Sequence, residues 1–176
     1  MRIVAGKLRH RVIEMTNLDT TRETQDKVRG AIFNMIGPYF DGGSALDLFA
    51  GSGAMAIEAY SRGVDSIHLN DIESKAIEIC KKNCLSLGIK DASFSNKDYK
   101  EFLNQTQKKW DIIFLDPPYK MNDIKGILNE VYPHLEKQGR IVFELAKETL
   151  YPKEFESLVL IKDKTYGIKR VIVYKG

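Results

Sequence analysis

Apolar positions along this chain follow two alternating periods. ALDLF (45–49), SIHLND (66–71), ASFSN (92–96), WDIIFLD (110–116) and GRIVFEL (139–145) are short runs with the length and content of strands. Between them apolar residues recur every three or four positions, which marks helices with one buried face. Val28, Ile32, Met35 and Ile36 share such a face from about Thr24 until Gly37-Pro38 stops the helix. Ala76, Cys80, Cys84 and Leu87 do so within 73–87, and a shorter helix is predicted around 99–107. Ile124, Ile127, Leu128, Val131 and Leu135 mark another over 122–136. SLVLIKD (157–163) and KRVIVYK (169–175) flank Gly167 as a closing hairpin, and residues 1–15 read as one or two short strands around Gly6. The pattern predicts an α/β fold: a mostly parallel seven-stranded sheet covered on both faces, with an antiparallel C-terminal hairpin strand and a short N-terminal β/helical extension. One domain over 1–176 is expected, with 1–23 as a basic extension.

Composition changes little. With 176 residues, 43% hydrophobic and 29% charged, the chain suits one domain with a sizeable core. No apolar run approaches the roughly 20 residues that span a bilayer, and no signal pattern opens the chain, so a cytosolic protein is expected. Cys80 and Cys84 lie four apart in a helical pattern, so no disulfide is expected, and with three histidines no metal cluster is either. The net charge of +3 is small, but its placement is informative: Arg2, Lys7, Arg9 and Arg11 fall in the first eleven residues with no acid among them. Such an arm can contact phosphates, or it can be a solvated edge that discourages aggregation. Charge alone does not choose.

Chemistry concentrates where strands end. In parallel α/β folds ligands collect at the carboxyl ends of strands. Ala50-Gly51-Ser52-Gly53 lies there, opening a helix, and its glycines permit a tight turn close to a ligand. By itself GxG is also ordinary loop geometry. Asp71, twenty residues after Gly51, stands where an acid accepts ribose hydroxyls, and Ile72 beside it can cover an adenine face. Asp98 can accept from an exocyclic amine, and Asp47 can orient an ammonium. Singly, each acid reads more readily as structural or solvated, but four ordered acids ending successive strands are harder to dismiss. No GxxxxGK[ST] loop occurs, and Ile57 and Glu58 occupy positions where a dinucleotide fingerprint wants a third small residue. The pocket wants an adenosine without a pyrophosphate cradle, which describes S-adenosylmethionine.

Asp116-Pro117-Pro118-Tyr119 ends the fourth strand. The prolines stop the ladder, since neither has an N–H to donate. Stopping a strand requires no acid before them and no tyrosine after. An exocyclic base amine is a poor nucleophile because its lone pair is delocalised. A carboxylate and a stiffly held carbonyl that accept its two N–H groups turn that lone pair outward. Asp116 and the Pro117 carbonyl suit this, and Tyr119 can stack on a base withdrawn from its helix.

These motifs resemble those of the S-adenosylmethionine-dependent methyltransferases, and more narrowly the bacterial RsmD family of small-subunit ribosomal RNA guanine-N2 methyltransferases. LDLFAGSGAMAIEA (46–59) is similar to the family's cofactor loop, LND (69–71) to its ribose acid, NKD (96–98) to its adenine-edge segment and DPPY (116–119) to its catalytic signature. RETQDKVRGAIFN (22–34) resembles its arginine-containing segment. Glu23 follows Arg22 where proline is usual, Gly30 follows Arg29 where glutamate is usual, and His10 stands where glycine is common.

The resemblance implies a Rossmann-like methyltransferase fold and transfer to a guanine N2 amine in 16S ribosomal RNA. It implies Asp116, Pro117 and Tyr119 as catalytic. Asp47, Ala50, Gly51, Ser52, Gly53, Asp71, Ile72, Asp98 and Tyr99 would hold the cofactor. Arg9, Arg11, Arg22, Arg29, Pro118 and Tyr166 would face substrate, with the partner a partly or fully assembled 30S subunit and the enzyme a monomer without a metal. For Arg22 and Arg29 the plainer alternative is surface charge or pairing with Asp26, and for Tyr166 a core or rim aromatic. DPPY is shared with adenine-N6 methyltransferases, so that activity is the alternative. A non-catalytic RNA-binding protein on the same scaffold is a third reading. His68, mid-strand among apolar residues, is expected to be packed.

Overall fold

The computed structural model describes residues 1–16 and 26–176. Its strands are β1 (Ser44–Asp47), β2 (Ser66–Asn70), β3 (Ala92–Ser95), β4 (Trp110–Leu115), β5 (Leu135–Ala146), β6 (Glu154–Phe155), β7 (Leu158–Tyr166) and β8 (Lys169–Lys175). They form one sheet in the order β3-β2-β1-β4-β5-β8-β7-β6. β1 to β5 are parallel, and β8 enters antiparallel between β5 and β7. This is the Rossmann-like methyltransferase topology, with the seven expected strands joined by the two-residue β6 at the edge.

Alternation explains why both faces are covered. Ala45, Ile67, Leu69, Ile112, Phe114, Val142, Val171 and Val173 point to one side. There they meet helices α1 (Asp26–Ile36), α2 (Ala54–Ser61) and α3 (Ser74–Ser86). Leu46, Ile113, Leu115, Ile141, Phe143, Ile172 and Tyr174 point to the other side. They pack on α4 (Tyr99–Gln105) and α5 (Ile124–Val131). The predicted inward stripes of α3 and α5 are buried. Among the described residues, no helix is long and apolar enough to cross a membrane.

Three boundaries differ from expectation. The helix expected over 122–136 ends at Val131, gives way to a 3₁₀ turn at Tyr132–His134 that contains Pro133, and β5 begins at Leu135. β5 is interrupted before Arg140, where Gln138 takes a φ of 68°, so only its second half has the pattern of a plain strand. The N-terminal arm makes a single bridge, Arg2 to Val12, around a turn in which His10 has a φ of 69°. That left-handed conformation is one glycine adopts freely and a side chain does not.

The arm and α1 are fastened to α2 by one buried carboxylate. Glu58 has no exposure. Its oxygens accept from Val4 N (2.9 Å), Ala5 N (3.0 Å), Arg29 Nε (3.2 Å) and Arg62 Nε (2.9 Å). Removing one partner of such a group strands the others without water. Glu58→Ala is therefore expected to lower unfolding stability by about 3–5 kcal/mol, read as a shift in the urea midpoint. A shift worth less than about 1 kcal/mol would mean the site behaves as a solvated surface pair.

Candidate active site

The sheet order reverses between β1 and β4, since β2 and β3 extend one way and β5 the other. A crevice opens at such a reversal, beyond the carboxyl ends of the strands. Asp47 closes β1 and Asp116 directly follows β4, so the two acids flank it.

On the β1–β2 side the glycine loop turns tightly, with φ of 57° at Gly51 and 85° at Gly53. A Cβ on Gly53 would lie 2.6 Å from Leu69 Cδ2, so close packing on β2 requires glycine there in addition to the backbone angle. Three side chains hold the loop and a fourth holds the helix it opens. Asp71, 6% exposed, accepts from Gly51 N through Oδ2 and from Glu73 N through Oδ1, both at 2.9 Å. Cys80 Sγ donates to Gly51 O at 3.1 Å, and Asn83 Nδ2 donates to Ser52 O at 2.9 Å. Asp47 Oδ2 accepts from Ala56 N at 3.3 Å. Burial raises the pKa of Asp71, and the hydrogen bonds from Glu73 and Gly51 pull it back. Of the two sequence readings of Asp71, ligand acceptor and structural acid, the structural one is met directly: the side chain is a strut of the loop. Cys80 and Asn83 were legible as inward helix positions or not at all, because their partners are carbonyls rather than side chains.

Further residues proposed for the ligand lie beyond this loop. Ile72 is 64% exposed beside Asp71, and Asn96 Nδ2 fixes its backbone by donating to Asp71 O and Ile72 O at 2.9 Å. Asp98 caps α4, accepting from Lys100 N at 3.0 Å, while Tyr99 is buried with its ring 5.5 Å from Phe49. A carboxylate has lone pairs beyond one bond per oxygen. Asp71 can therefore hold the loop and still accept hydroxyls. Acids, close-turning glycines and an exposed aliphatic face together fit an adenosine-bearing ligand such as S-adenosylmethionine.

On the β4 side Asp116 is half-buried, Pro117 buried, Pro118 half-buried and Tyr119 41% exposed. Met121 N donates to Pro118 O at 2.8 Å and closes the turn. Asp116 lines a small cavity of about 10 Å³ with Asp47, Glu144, Ile32, Met55 and Phe114. Glu144 was not foreseen; an acid interrupting the apolar run of β5 was the available signal. It forms an ion pair with Lys169. Tyr166 lines a second groove with Lys27, Val28 and Lys169, and Lys164 Nζ lies 5.4 Å from its ring centre.

The arginines separate. Arg9 is exposed. Arg11, also exposed, donates from Nη2 to Ser86 O at 3.1 Å, at the end of α3, where a cation meets the helix dipole favourably. Arg22 lies outside the described residues. Arg29, expected to face substrate, is instead 1% exposed, bound to Glu58 and to Asp26 Oδ1 at 3.0 Å. Its charge is neutralised inside, and an RNA phosphate would have to displace Glu58. His68 is packed as expected, between Ser93 Oγ at 2.6 Å and Ser95 Oγ at 2.8 Å. Burial and Lys108 lower its pKa to about 4.

Comparison with known proteins adds ancestry to this geometry. The sequence pattern of the family described as conserved hypothetical protein 95 matches residues 1–175. The chain is 41% identical to YlbH of Bacillus subtilis (strain 168), which carries a provisional rRNA methyltransferase name, over 99% of this chain and 98% of that one. It is 31% identical to ribosomal RNA small subunit methyltransferase D of Haemophilus influenzae, over 100% of this chain and 94% of that one. The solved structure of yhhF from Escherichia coli, provisionally described as a methyltransferase, superposes with a TM-score of 0.86 at 28% identity, covering 99% and 97%. The chain thus belongs to the conserved hypothetical protein 95 family and is an S-adenosylmethionine-dependent methyltransferase related to the small-subunit methyltransferase D proteins.

Proposed function

We propose that this enzyme methylates the exocyclic N2 amine of a guanine in small-subunit (16S) ribosomal RNA. The observation that carries the reading is the convergence of Asp47, beside the glycine loop, and Asp116, of the DPPY segment, on one pocket. The relatives' names, which concern ribosomal RNA and its small subunit, support the choice of substrate.

In this reading Asp71 accepts the ribose hydroxyls, Ile72 and Tyr99 border the adenine, Asp98 takes its amine, and Ala50 to Gly53 bring backbone close to the ligand. Asp47 orients the ligand's ammonium. S-adenosylmethionine, when bound, supplies an electrophilic methyl on its sulfonium. Asp116 and the Pro117 carbonyl accept the two N–H groups of the acceptor amine and aim its lone pair. Asp116 also stabilises the positive charge that grows on that nitrogen. Pro118 shapes the turn, and exposed Tyr119 stacks on the base. No side chain needs to deprotonate the amine beforehand, because bond formation makes it acidic. Positioning supplies much of the rate. Arg9 and Arg11 contact phosphate, and the substrate is a partly or fully assembled 30S subunit bound by a monomer.

The identity of the acceptor is tested by incubating enzyme and labelled S-adenosylmethionine with small subunits lacking the modification, then digesting the RNA and resolving its nucleosides. Label in N2-methylguanosine at one position is expected; label in N6-methyladenosine would transfer the case to adenine. Two variants should split binding from chemistry. Asp71→Ala loses an acceptor and a loop strut together, so cofactor affinity measured by calorimetry should fall by about 1–3 kcal/mol. Asp116→Ala should bind cofactor nearly as wild type while single-turnover transfer drops roughly 10²-fold or more. Transfer at the wild-type rate in the latter would remove the carboxylate from the mechanism. For the arm, Arg9→Ala with Arg11→Ala should weaken RNA binding and reduce its salt slope by about 0.7–0.9 for every phosphate no longer neutralised. An unchanged slope would leave both arginines as structural or solvated charge.

A further inference from the structure

The DPPY segment can hold an exocyclic amine without distinguishing the bases that carry one, so the ring must be read elsewhere in the pocket. Strand register places Glu144 for that task. Leu115 pairs with Phe143, so Asp116 leaves β4 directly beside Glu144 of β5. Both follow the alternation that sends Phe114 and Val142 toward α1, and both line the same pocket. Glu144 is 6% exposed and ion-pairs with Lys169 Nζ, whose side chain is 18% exposed. Lys169 also borders a groove of about 540 Å³, whose other walls include Val28 and Tyr166. The Tyr166 hydroxyl there is buried and has no hydrogen-bond partner among the described residues.

Since β4, β5 and β8 are neighbours, Asp116, Glu144 and Lys169 follow one another along the edge of the sheet. They present an acceptor, a second acceptor and a donor. The Watson–Crick edge of guanine offers the complement in order: the N2 amine donates, N1–H donates and O6 accepts. Adenine, with its N6 amine on Asp116, would set the N1 lone pair against the Glu144 carboxylate. We propose that Glu144 and Lys169 are the specificity-determining pair of the acceptor pocket, Glu144 accepting from guanine N1–H and Lys169 donating to O6. This rests on the guanine-N2 reading and deepens it. A purine N1 lone pair set against that carboxylate finds no donor and is repelled by the negative charge, and that penalty selects the base. Before the base arrives, the ion pair satisfies both side chains.

The test uses 2,6-diaminopurine, which keeps the reacting 2-amine but turns N1 into an acceptor and replaces O6 with an amine. Small subunits are assembled with guanosine or 2,6-diaminopurine at the position where label is found, and kcat/KM is compared. Wild-type enzyme should prefer guanosine by about 10²-fold or more. Glu144→Gln, whose amide can accept or donate, should lower transfer to guanosine and narrow that preference about tenfold or more, with cofactor affinity unchanged. Lys169→Gln should narrow it from the O6 side, so the test survives if one variant folds poorly. Equal transfer to both bases by the wild type, or an unaltered preference in both folded variants, would overturn the assignment. Absence of N2-methylguanosine from every guanosine-bearing subunit is a different result: it defeats the guanine-N2 reading and this assignment with it.

Discussion

The Glu58 carboxylate, wholly removed from water, is what joins the N-terminal arm and α1 to α2. An isolated anion in that position would be prohibitively costly; two guanidiniums and two backbone N–H groups make it tolerable. The donors come from the arm, from α1 and from the residue after α2, so the anion fixes their mutual placement. Arg62 continues the network, donating to Pro38 O at 3.0 Å and lying 4.7 Å from the Phe33 ring centre. The arm is then pressed onto the end of α2. A Cβ on Gly6 would fall 1.9 Å from Ser61 O, and Leu8 N donates to Ser61 Oγ at 3.0 Å. Since Ile32 of α1 lines the Asp47–Asp116 pocket, a network remote from that pocket helps to set its wall.

Glu58 also marks where sequence reasoning stops. It stands in AMAIEAYS, where a lone acid among small residues is noticed chiefly because it breaks a dinucleotide fingerprint. Arg29 has Asp26 three residues earlier and so reads as surface charge, yet its nearest buried partner is 29 positions away. Periodicity reports which face of an element is apolar and says nothing of a charge that finds its counter-charge inside. The same limit hid Glu144. Elements with a clean period were legible: the stripes of α3 and α5, the glycine loop after β1 and the abrupt end of β4 all stand where spacing put them. The junction of α5 and β5 was not, because Leu135 continues the helical stripe by spacing although Pro133 has already ended the helix.

A second tie runs from the arm to the cofactor loop through Asn83. Its Oδ1 accepts from Glu14 N at 2.8 Å, and its Nδ2 donates to Glu14 O and Ser52 O, both at 2.9 Å. One buried amide thus mimics a strand partner for the arm and a brace for the loop. Asp71 braces the same loop from β2. The loop that must approach a ligand closely is held by side chains of α3 and β2, and its posture is set before any ligand binds.

The arm's position constrains the substrate. Its basic turn sits at the far ends of α2 and α3, with Lys7 N donating to Ser61 O and Arg11 to Ser86 O, whereas α2 begins at the cofactor loop. Eight helical residues separate those ends by about 12 Å. On the proposed function, a phosphate held by Arg9 therefore belongs to a different nucleotide from the base that reaches Asp116. Carboxylates crowd the pocket end of the sheet, where Asp47, Asp116 and Glu144 converge, and they repel phosphate while welcoming an amine edge. A short flexible strand would have to bridge the two regions at its own entropic cost. A folded RNA whose backbone already lies on the arm, and whose guanine already projects toward the pocket, meets both at once. On the proposed function, this separation of charge thus favours a structured RNA over a single strand.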